Sequence, residues 1–173
     1  METMDFRIGQ TIREKIATAK GLYLRWGEQL KNDPAISTRL AELSRRVEAS
    51  SALILRAGVV EQCRICEEDE GGSCCGQGIE NRYSPELLLI NLLFGLKLPE
   101  AAKSSESCFF LGDQGCVLKA REILCINYMC FKIKKTVAPE MLLEIQETNG
   151  AEMDLIFALH EHIKGFIRQN GPQ

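Results

Sequence analysis

The chain has 173 residues, of which 45% are hydrophobic and 26% are charged, and its formal net charge is −3. A chain of this length and composition can build one hydrophobic core without disulfides or metal to make it collapse. The slightly acidic balance excludes the basic field on which most nucleic-acid binders depend, and it offers no attraction to anionic membranes.

No secretory or membrane-spanning segment is recognisable in the sequence. Residues 1–10 contain acids and lack the apolar stretch of a signal peptide. The longest apolar run, residues 87–98, is too short to cross a bilayer. These features predict a cytoplasmic protein with no membrane partner. Because cytoplasmic thiols stay reduced, they also argue against a disulfide framework for the eight cysteines.

Residues 1–60 contain no cysteine and predict two amphipathic helices. Asp33 and Pro34 suit the cap and the first turn of the second helix. We expect the two helices to pack as an antiparallel hairpin, which serves as a scaffold or dimerisation arm or offers a groove to a protein partner. The predicted apolar stripes, with members every three or four positions, are Ile12, Ile16, Ala19, Tyr23, Trp26 and Leu30 in the first helix, and Ile36, Leu40, Leu43, Val47 and Ile54 in the second.

Residues 63–83 have a different composition, with four cysteines, five acids, four glycines and almost no large apolar side chain. Ordering a chain costs roughly 1–2 kcal/mol per residue, and this segment has too little apolar surface to offset that cost. A structural zinc site supplies on the order of 10–16 kcal/mol in a peptide at neutral pH. The segment is therefore predicted to be irregular and to be ordered by a metal.

The segment after residue 83 predicts a buried helix and then a hairpin. Ser84 and Pro85 have the residue types of a helix cap and a first helical position, and Gly95 marks the end of a leucine-rich stretch. Leucines at nearly every position indicate burial on several sides. Further on, Gly112-Asp113-Gln114-Gly115 predicts the turn of a small hairpin within residues 108–118.

The rest of the chain predicts three more helices. Residues 119–126 suit a short helix. Pro139 begins a second helix that runs to about Glu147 and is closed by Asn149-Gly150. The last predicted helix runs from about Ala151 to Gln169.

Eight cysteines carry the chemistry of the sequence, and all of them are predicted metal ligands. Two residues separate the first two cysteines, as in a metal knuckle whose backbone N–H groups point to the sulfurs. Glycines at positions 71, 72, 76 and 78 permit positive-φ turns that wrap backbone around a charged centre. Along the chain the cysteines form a first group, Cys63, Cys66, Cys74 and Cys75, and a second group, Cys108, Cys116, Cys125 and Cys130.

Two details of the cysteine spacing predict local structure. In an extended strand, Cys74 and Cys75 point to opposite faces, so they could reach two ions or two irons of one cluster. Alternatively, one of the two is a reactive thiol that is not a ligand. On a straight helix, at 100° per residue, Cys125 and Cys130 lie about 140° apart. Because they can share a site only if the helix is interrupted, we expect a break near Asn127.

Two other interpretations of the cysteines compete with metal binding. They could be ordinary thiols without a ligand, but a Cys-x2-Cys pair followed by Cys-Cys in an acidic, glycine-rich stretch argues against this. Cys63 and Cys66 could instead form a redox dithiol. Such a dithiol normally lies at a helix start within a βαβ unit, which the sequence does not predict.

The cysteine count does not choose between zinc and iron, because thiolates bind both. Eight cysteines fit two four-cysteine zinc sites, one four-cysteine cluster with spare thiols, or two clusters. The usual ferredoxin run of three cysteines, each two residues apart, is absent. We slightly favour an iron–sulfur cluster over zinc as the cofactor.

The cysteine-rich region resembles the YkgJ-type cysteine-cluster family, also called the CxxCxxCC family. The resemblance covers residues 63–130 and implies chelation of zinc or iron by the cysteines. The family looks related to the iron–sulfur flagellin lysine-N-methylases, which raises a methyltransferase-like activity as an alternative. The features that carry the resemblance are Cys63-x2-Cys66, Cys74-Cys75, Cys108-Phe109-Phe110-Leu111, Gly115-Cys116 and Arg121-x3-Cys125.

Other polar clusters have ordinary interpretations. His160 and His162 lie two positions apart on a predicted helix, face different directions, and are typical of surface or half-buried histidines. The acidic run 67–70 is typical of a solvated loop, although its carboxylates could bind a hard cation. The lysines at 132, 134 and 135 suit a solvated face, although they could balance thiolate charge or hold an anionic partner. No phosphate loop, nucleotide fingerprint or nucleophile elbow is present.

Together these features predict an all-α fold: a helical bundle or hairpins with an irregular cysteine-rich metal-binding insert and a small hairpin. Residues 1–60 form the N-terminal helical hairpin, 61–135 the metal-cluster region with one buried helix, and 136–173 the C-terminal helices. The leading functional hypothesis is a metal-binding protein whose metal is structural or redox-active. The alternatives are a cluster-dependent protein-modifying enzyme and a zinc-stapled helical adaptor. We expect a protein partner or self-association through the N-terminal helices.

Overall fold

The structure is a computed structural model that describes residues 10–171. The predicted all-α class is confirmed, since the only strands in this range form one small antiparallel pair. None of the described helices is both long and apolar enough to cross a membrane. The elements are α1 (Ile12–Asn32), α2 (Pro34–Arg56), α3 (Val59–Asp69), a 3-10 helix (Ile79–Arg82), α4 (Pro85–Leu93), β1 (Leu111–Gly112), β2 (Gly115–Cys116), α5 (Ile123–Asn127), α6 (Phe131–Thr136) and α7 (Pro139–Asn170).

Local capping signals set several helix starts. Asp33 alone separates α1 from α2, and its carboxylate accepts hydrogen bonds from two backbone N–H groups in the first turn of α2. Ser84 caps α4 in the same way, with Pro85 at the first helical position, as the sequence predicts. Gly58 has a φ of 73°, and this left-handed conformation allows α3 to begin almost directly after α2.

The helices pack around two hydrophobic cores. The main core contains residues from α1, α2, α4 and α7 and from the segment around the hairpin, and every residue of α4 is buried in it. The helices α1 and α2 contact each other, but α1 packs chiefly on α4 and α2 chiefly on α7. Both α2 and α7 extend into the second, small core, which consists of Leu53, Val59, Met129, Ile133, Val137 and Ile145.

The prediction that residues 63–83 are irregular is wrong for the first part of that segment. Helix α3 continues through the first two cysteines to Asp69, although Val59 is its one buried residue. Arg64 forms ion pairs with Glu61 and Glu68, which lie one turn away on either side. Such local pairs stabilise a helix without burial, and they account for helical structure in a stretch of low apolar content.

The predicted helix end at Asn149-Gly150 is also wrong, because α7 runs unbroken through both residues. Asn149 is buried, and its side-chain amide donates a hydrogen bond to the carbonyl oxygen of Ile126 at 2.7 Å. A tertiary contact therefore explains this asparagine. Gly150 has open space around it, and a glycine inside a helix costs only about 1 kcal/mol relative to alanine.

The predicted hairpin is confirmed. Leu111 pairs with Cys116, and Gly112 pairs with Gly115, which has a φ of 101°. A second antiparallel contact, an isolated bridge between Gly76 and Ser107, lies just outside the hairpin. This bridge joins the loop after α3 to the strand that leads into the hairpin, and so it places two cysteine-bearing segments side by side.

Candidate metal centre

All eight predicted ligands lie in the described part of the chain, and all are free thiols. They come from α3, from the loop that follows it, from the hairpin and from the region of α5 and α6. Cys108 is buried, Cys66, Cys75, Cys125 and Cys130 are half-buried, and Cys63, Cys74 and Cys116 are exposed. Four separate segments therefore contribute side chains to the candidate site.

Four of the thiols gather where α3 meets α6, and we call Cys63, Cys66, Cys74 and Cys130 the first thiol group. Cys63 and Cys66 lie one turn apart on α3, so they share a helix face. Cys130 caps α6, which packs on α3. Cys74 lies beside Cys130, and both lie close enough to Cys63 to raise its pKa.

The first thiol group lies among charged side chains. The ammonium group of Lys132 donates a hydrogen bond to Cys66 Sγ at 3.5 Å, and the same lysine forms an ion pair with Glu70. The Cys66 thiol in turn donates to Glu70 Oε2 at 3.5 Å. Lys132 thus occupies a position from which it can offset the negative charge of a thiolate.

The other four thiols, Cys75, Cys108, Cys116 and Cys125, form the second thiol group. The backbone N–H of Cys108 donates to the carbonyl oxygen of Cys75 at 2.7 Å. The hairpin then returns the chain to Cys116. The phenol of Tyr83 lies beside both Cys116 and Cys125, where it lowers the pKa of each thiol against the larger effect of desolvation. One phenol therefore links two thiols that lie in different segments.

The second thiol group is built onto the main core. Tyr83 is only 1% exposed, and its ring packs at a tilt on Phe110, with 5.0 Å between the ring centroids. Phe110 follows Cys108 closely in the chain, and all three residues belong to the main core. The positions of these thiols are consequently fixed by close-packed side chains.

A network of polar side chains connects the second thiol group to α7 and α2. The positive charge of Arg121 lowers the pKa of the Cys75 and Cys116 thiols, against the larger effect of desolvation. Arg121 also faces Glu152 on α7, with 3.6 Å between a guanidinium nitrogen and Oε1, and the hydroxyl of Ser50 on α2 donates to the other carboxylate oxygen. Glu152 is fully buried, and a buried carboxylate depends on such partners.

Desolvation of the sulfur atom raises the pKa of six of the thiols, including those of Cys63, Cys74 and Cys116, which are exposed as whole residues. The pKa rises to about 11 for Cys63 and Cys125 and to about 12 for Cys108, with desolvation as the largest cause. The pKa values of Cys74, Cys75 and Cys116 are raised for the same leading reason. An activated or redox thiol needs a lowered pKa, so these directions argue against the redox-dithiol interpretation of Cys63.

The grouping in space differs from the grouping along the chain. Cys75 lies with the later cysteines, and Cys130 lies with the earlier ones. The predicted interruption near Asn127 is confirmed, because α5 ends at that residue and α6 begins at Phe131. The short helix begins at Ile123, later than predicted. The break does not bring Cys125 and Cys130 together; it directs them to different thiol groups.

Sequence reasoning missed the role of Glu67, which it assigned to a solvated acidic loop. The Glu67 carboxylate accepts hydrogen bonds from the backbone N–H of Ser73 at 2.9 Å and from the hydroxyl groups of Ser73 and Ser107. These bonds, that from Ser107 first, lower the pKa of Glu67. The two serines directly precede Cys74 and Cys108, and this repeated Ser-Cys pair is the signal that the sequence offered.

The two histidines have the ordinary environments that the sequence predicts. His160 Nε2 lies 3.0 Å from the Ser84 hydroxyl oxygen, and His162 Nδ1 lies 2.8 Å from a guanidinium nitrogen of Arg39. Each ring is half-buried and makes a separate contact from α7. These contacts account for both histidines without a metal.

The thiols have the chemistry of metal ligands, but they are not arranged as a finished coordination sphere. Across residues 10–171, no three His, Cys, Asp or Glu side chains form a group that could hold a metal ion as they stand. Binding therefore requires the side chains within a thiol group to draw together. Four thiolates suit tetrahedral zinc and also suit an iron–sulfur cluster.

No protein-family model, curated protein or solved structure matches this chain. The likeness to the YkgJ-type family consequently rests on the cysteine spacing and the few residues around it.

Proposed function

We propose that this protein binds metal through its eight cysteines, as a cysteine-cluster protein that holds an iron–sulfur cluster or zinc. One observation carries the proposal: thiols spread over residues 63–130 form a single connected neighbourhood. Cys75 lies close enough to Cys63 on one side, and to Cys108, Cys116 and Cys125 on the other, to raise the pKa of each of these thiols. A shared metal requires this convergence of thiols from separate segments.

The charges beside the thiols support the proposal. Zinc with four thiolates has a net charge of about −2, which a protein interior tolerates when cations or N–H donors lie close by. Lys132 reaches the first thiol group, and the charge of Arg121 acts on the second. Because the thiol pKa values are raised, metal binding has to displace protons, and we expect it to strengthen as the pH rises.

The proposal places the protein in the reducing cytoplasm, where thiols stay available to metals. The eight free cysteines are consistent with such a compartment.

The decisive experiment is metal analysis of protein purified without oxygen. We expect bound metal that survives gel filtration, in one of two forms. Iron together with acid-labile sulfide and broad visible absorption identifies a cluster, and zinc in a colourless sample identifies a structural site. Protein that is folded but contains neither metal contradicts the proposal.

Variants of the ligands and of a histidine sharpen this experiment. We expect Cys63→Ser and Cys75→Ser each to have a lower metal content than the parent and to loosen the region between residues 63 and 130. His160→Gln is the matched control, since His160 is half-buried and contacts Ser84. The control should keep its full metal content, and full retention in both cysteine variants would show that these thiols are not ligands.

The two alternative functions stay predictions. A cluster-dependent modifying enzyme requires iron and an open coordination position, whereas a zinc-stapled adaptor requires a closed zinc site and a partner. The expected partner surface on the N-terminal helices includes Leu24 on α1, which is 86% exposed, and Leu55 on α2, which is 66% exposed. Metal identity decides which alternative to pursue.

A further inference from the structure

The adjacent cysteines Cys74 and Cys75 differ in their surroundings. Cys74 is exposed and lies beside Cys130 at the start of α6. Cys75 is half-buried, packs on the main core, and is tied by its carbonyl oxygen to the backbone of Cys108. Two consecutive residues thus belong to different sides of the cysteine-rich region.

We propose that the eight cysteines form two separate four-thiol metal sites, with Cys63, Cys66, Cys74 and Cys130 in one and Cys75, Cys108, Cys116 and Cys125 in the other. This inference rests on the proposed function and goes beyond it by assigning every ligand. The boundary between the sites falls inside the Cys74-Cys75 pair.

The backbone around the pair supports this division. The bond from Cys108 to Cys75 is followed by a second one, from the N–H of Gln77 to the carbonyl oxygen of Glu106 at 3.0 Å. These two bonds flank the bridge between Gly76 and Ser107. They hold Cys75 next to Cys108, and the chain bends at both Cys74 and Cys75 as it enters this pairing.

The number of donors supports the same division. Cys75 raises the pKa of Cys63 in the first group, more than any other thiol does, and it also raises that of Cys108 in the second, so proximity alone does not assign it. The first thiol group has four members without Cys75, whereas the second has only three. Four thiolates complete a tetrahedral site, and the assignment of Cys75 to the second group gives each site four.

Each site also has its own cation and its own core. Lys132 contacts Cys66 in the first group, and Cys130 packs on the small core. Arg121 acts on Cys75 and Cys116 in the second group, and Cys108 is part of the main core. A single shared metal centre would need only one neighbouring cation and one supporting core.

The test uses cobalt(II) or zinc added to metal-free full-length protein, with native mass spectrometry to count ions per chain. We expect two ions on the unmodified protein. Cys130→Ser and Cys125→Ser are matched substitutions five positions apart, and each should leave one ion. The combined variant with both changes should bind none.

A second double variant tests the assignment itself. Cys66→Ser combined with Cys130→Ser changes two ligands of the same site, so it should still bind one ion, at the affinity of the single Cys130→Ser variant. Cobalt–thiolate absorption should fall by about half in that variant and vanish in the variant that changes both sites. Loss of both ions from Cys66→Ser with Cys130→Ser would overturn the division.

Other outcomes separate the two proposals. One ion on the unmodified protein, or loss of all metal from either single variant, overturns the division but leaves metal binding intact. No ion on the unmodified protein overturns both. If either Cys130→Ser or Cys125→Ser lacks the helical circular dichroism of the parent, Cys66→Ser and Cys116→Ser replace them, since Cys116 is exposed and Cys66 is half-buried.

Discussion

Both thiol groups consist of four cysteines, but they pack against different cores of the protein. The first group lies where α3 meets α6, beside the small core and among the charged side chains of Glu70 and Lys132. The second is joined through Tyr83 and Phe110 to the main core, and Arg121 and Glu152 lie behind it. Identical thiols can therefore belong to regions that open at different free energies, because local stability follows burial.

The largest expected effect tests how far the main core stabilises the whole chain. Leu89 on α4 is fully buried, and Leu89→Ala should lower the free energy of unfolding by about 2–5 kcal/mol because it leaves a cavity. Urea denaturation of metal-free protein measures this change. The control is Leu143→Ala, since Leu143 is 57% exposed on α7; equal losses in both variants would mean that the main core is not the dominant support.

The next prediction concerns the buried hydrogen bond between Ser50 and Glu152, which lies next to the second thiol group. Ser50→Ala removes the hydroxyl donor of the buried Glu152, and it should cost about 1–3 kcal/mol of unfolding free energy because a buried acceptor loses its partner. Ser51→Ala, at an exposed position on α2, should cost much less. Thermal melting of the two variants decides this, and identical melting temperatures would show that the Ser50 bond contributes nothing.

A smaller effect is expected in the small core. Ile133→Val should lower stability there by about 0.5–1.5 kcal/mol because Ile133 is 4% exposed in α6. Hydrogen exchange should speed up in α3 and α6 and stay unchanged in α4. Ile123→Val is the control, with 48% of the residue exposed. Faster exchange in α4 would mean that the two cores open together and that the contrast between the thiol groups is false.

The smallest prediction concerns the charges around the first thiol group. Lys132→Gln should cost only about 0.2–1 kcal/mol in metal-free protein, because the ion pair with Glu70 is largely exposed. Salt should erase the difference, since it screens exposed charges. Lys134→Gln changes a neighbouring exposed lysine and is the matched control. A loss that persists in high salt would point to packing by the Lys132 stem.

Features with local causes could be predicted from the sequence. Asp33 and Ser84 signal helix starts through their own side chains, and both caps are confirmed. The hairpin turn at residues 112–115 and the interruption near Asn127 are also confirmed. In each case the residues that give the signal are the residues that form the structure, so no distant contact is needed.

Features with distant causes could not be predicted. Asn149 was interpreted as a helix end because its buried contact with Ile126 is invisible in the sequence. Helix α3 depends on ion pairs of Arg64, whereas the low apolar content of the segment suggested irregular structure. In space, Cys75 lies with the later cysteines and Cys130 with the earlier ones. This arrangement depends on where α6 and the hairpin pack, which cannot be predicted from the spacing of the cysteines along the chain.

The unbroken helix α7 imposes an order on assembly. It follows every cysteine in the chain, yet it is the chief packing partner of α2, and Ser50 and Glu152 meet across a separation of 102 residues. Synthesis at about 5–20 residues per second takes roughly 2–8 s to extend a chain from residue 131 to residue 170. During those seconds all eight thiols have been made while α2 still lacks its partner. A ribosome-bound chain therefore contains all of its cysteines before the contacts between α2 and α7 can form.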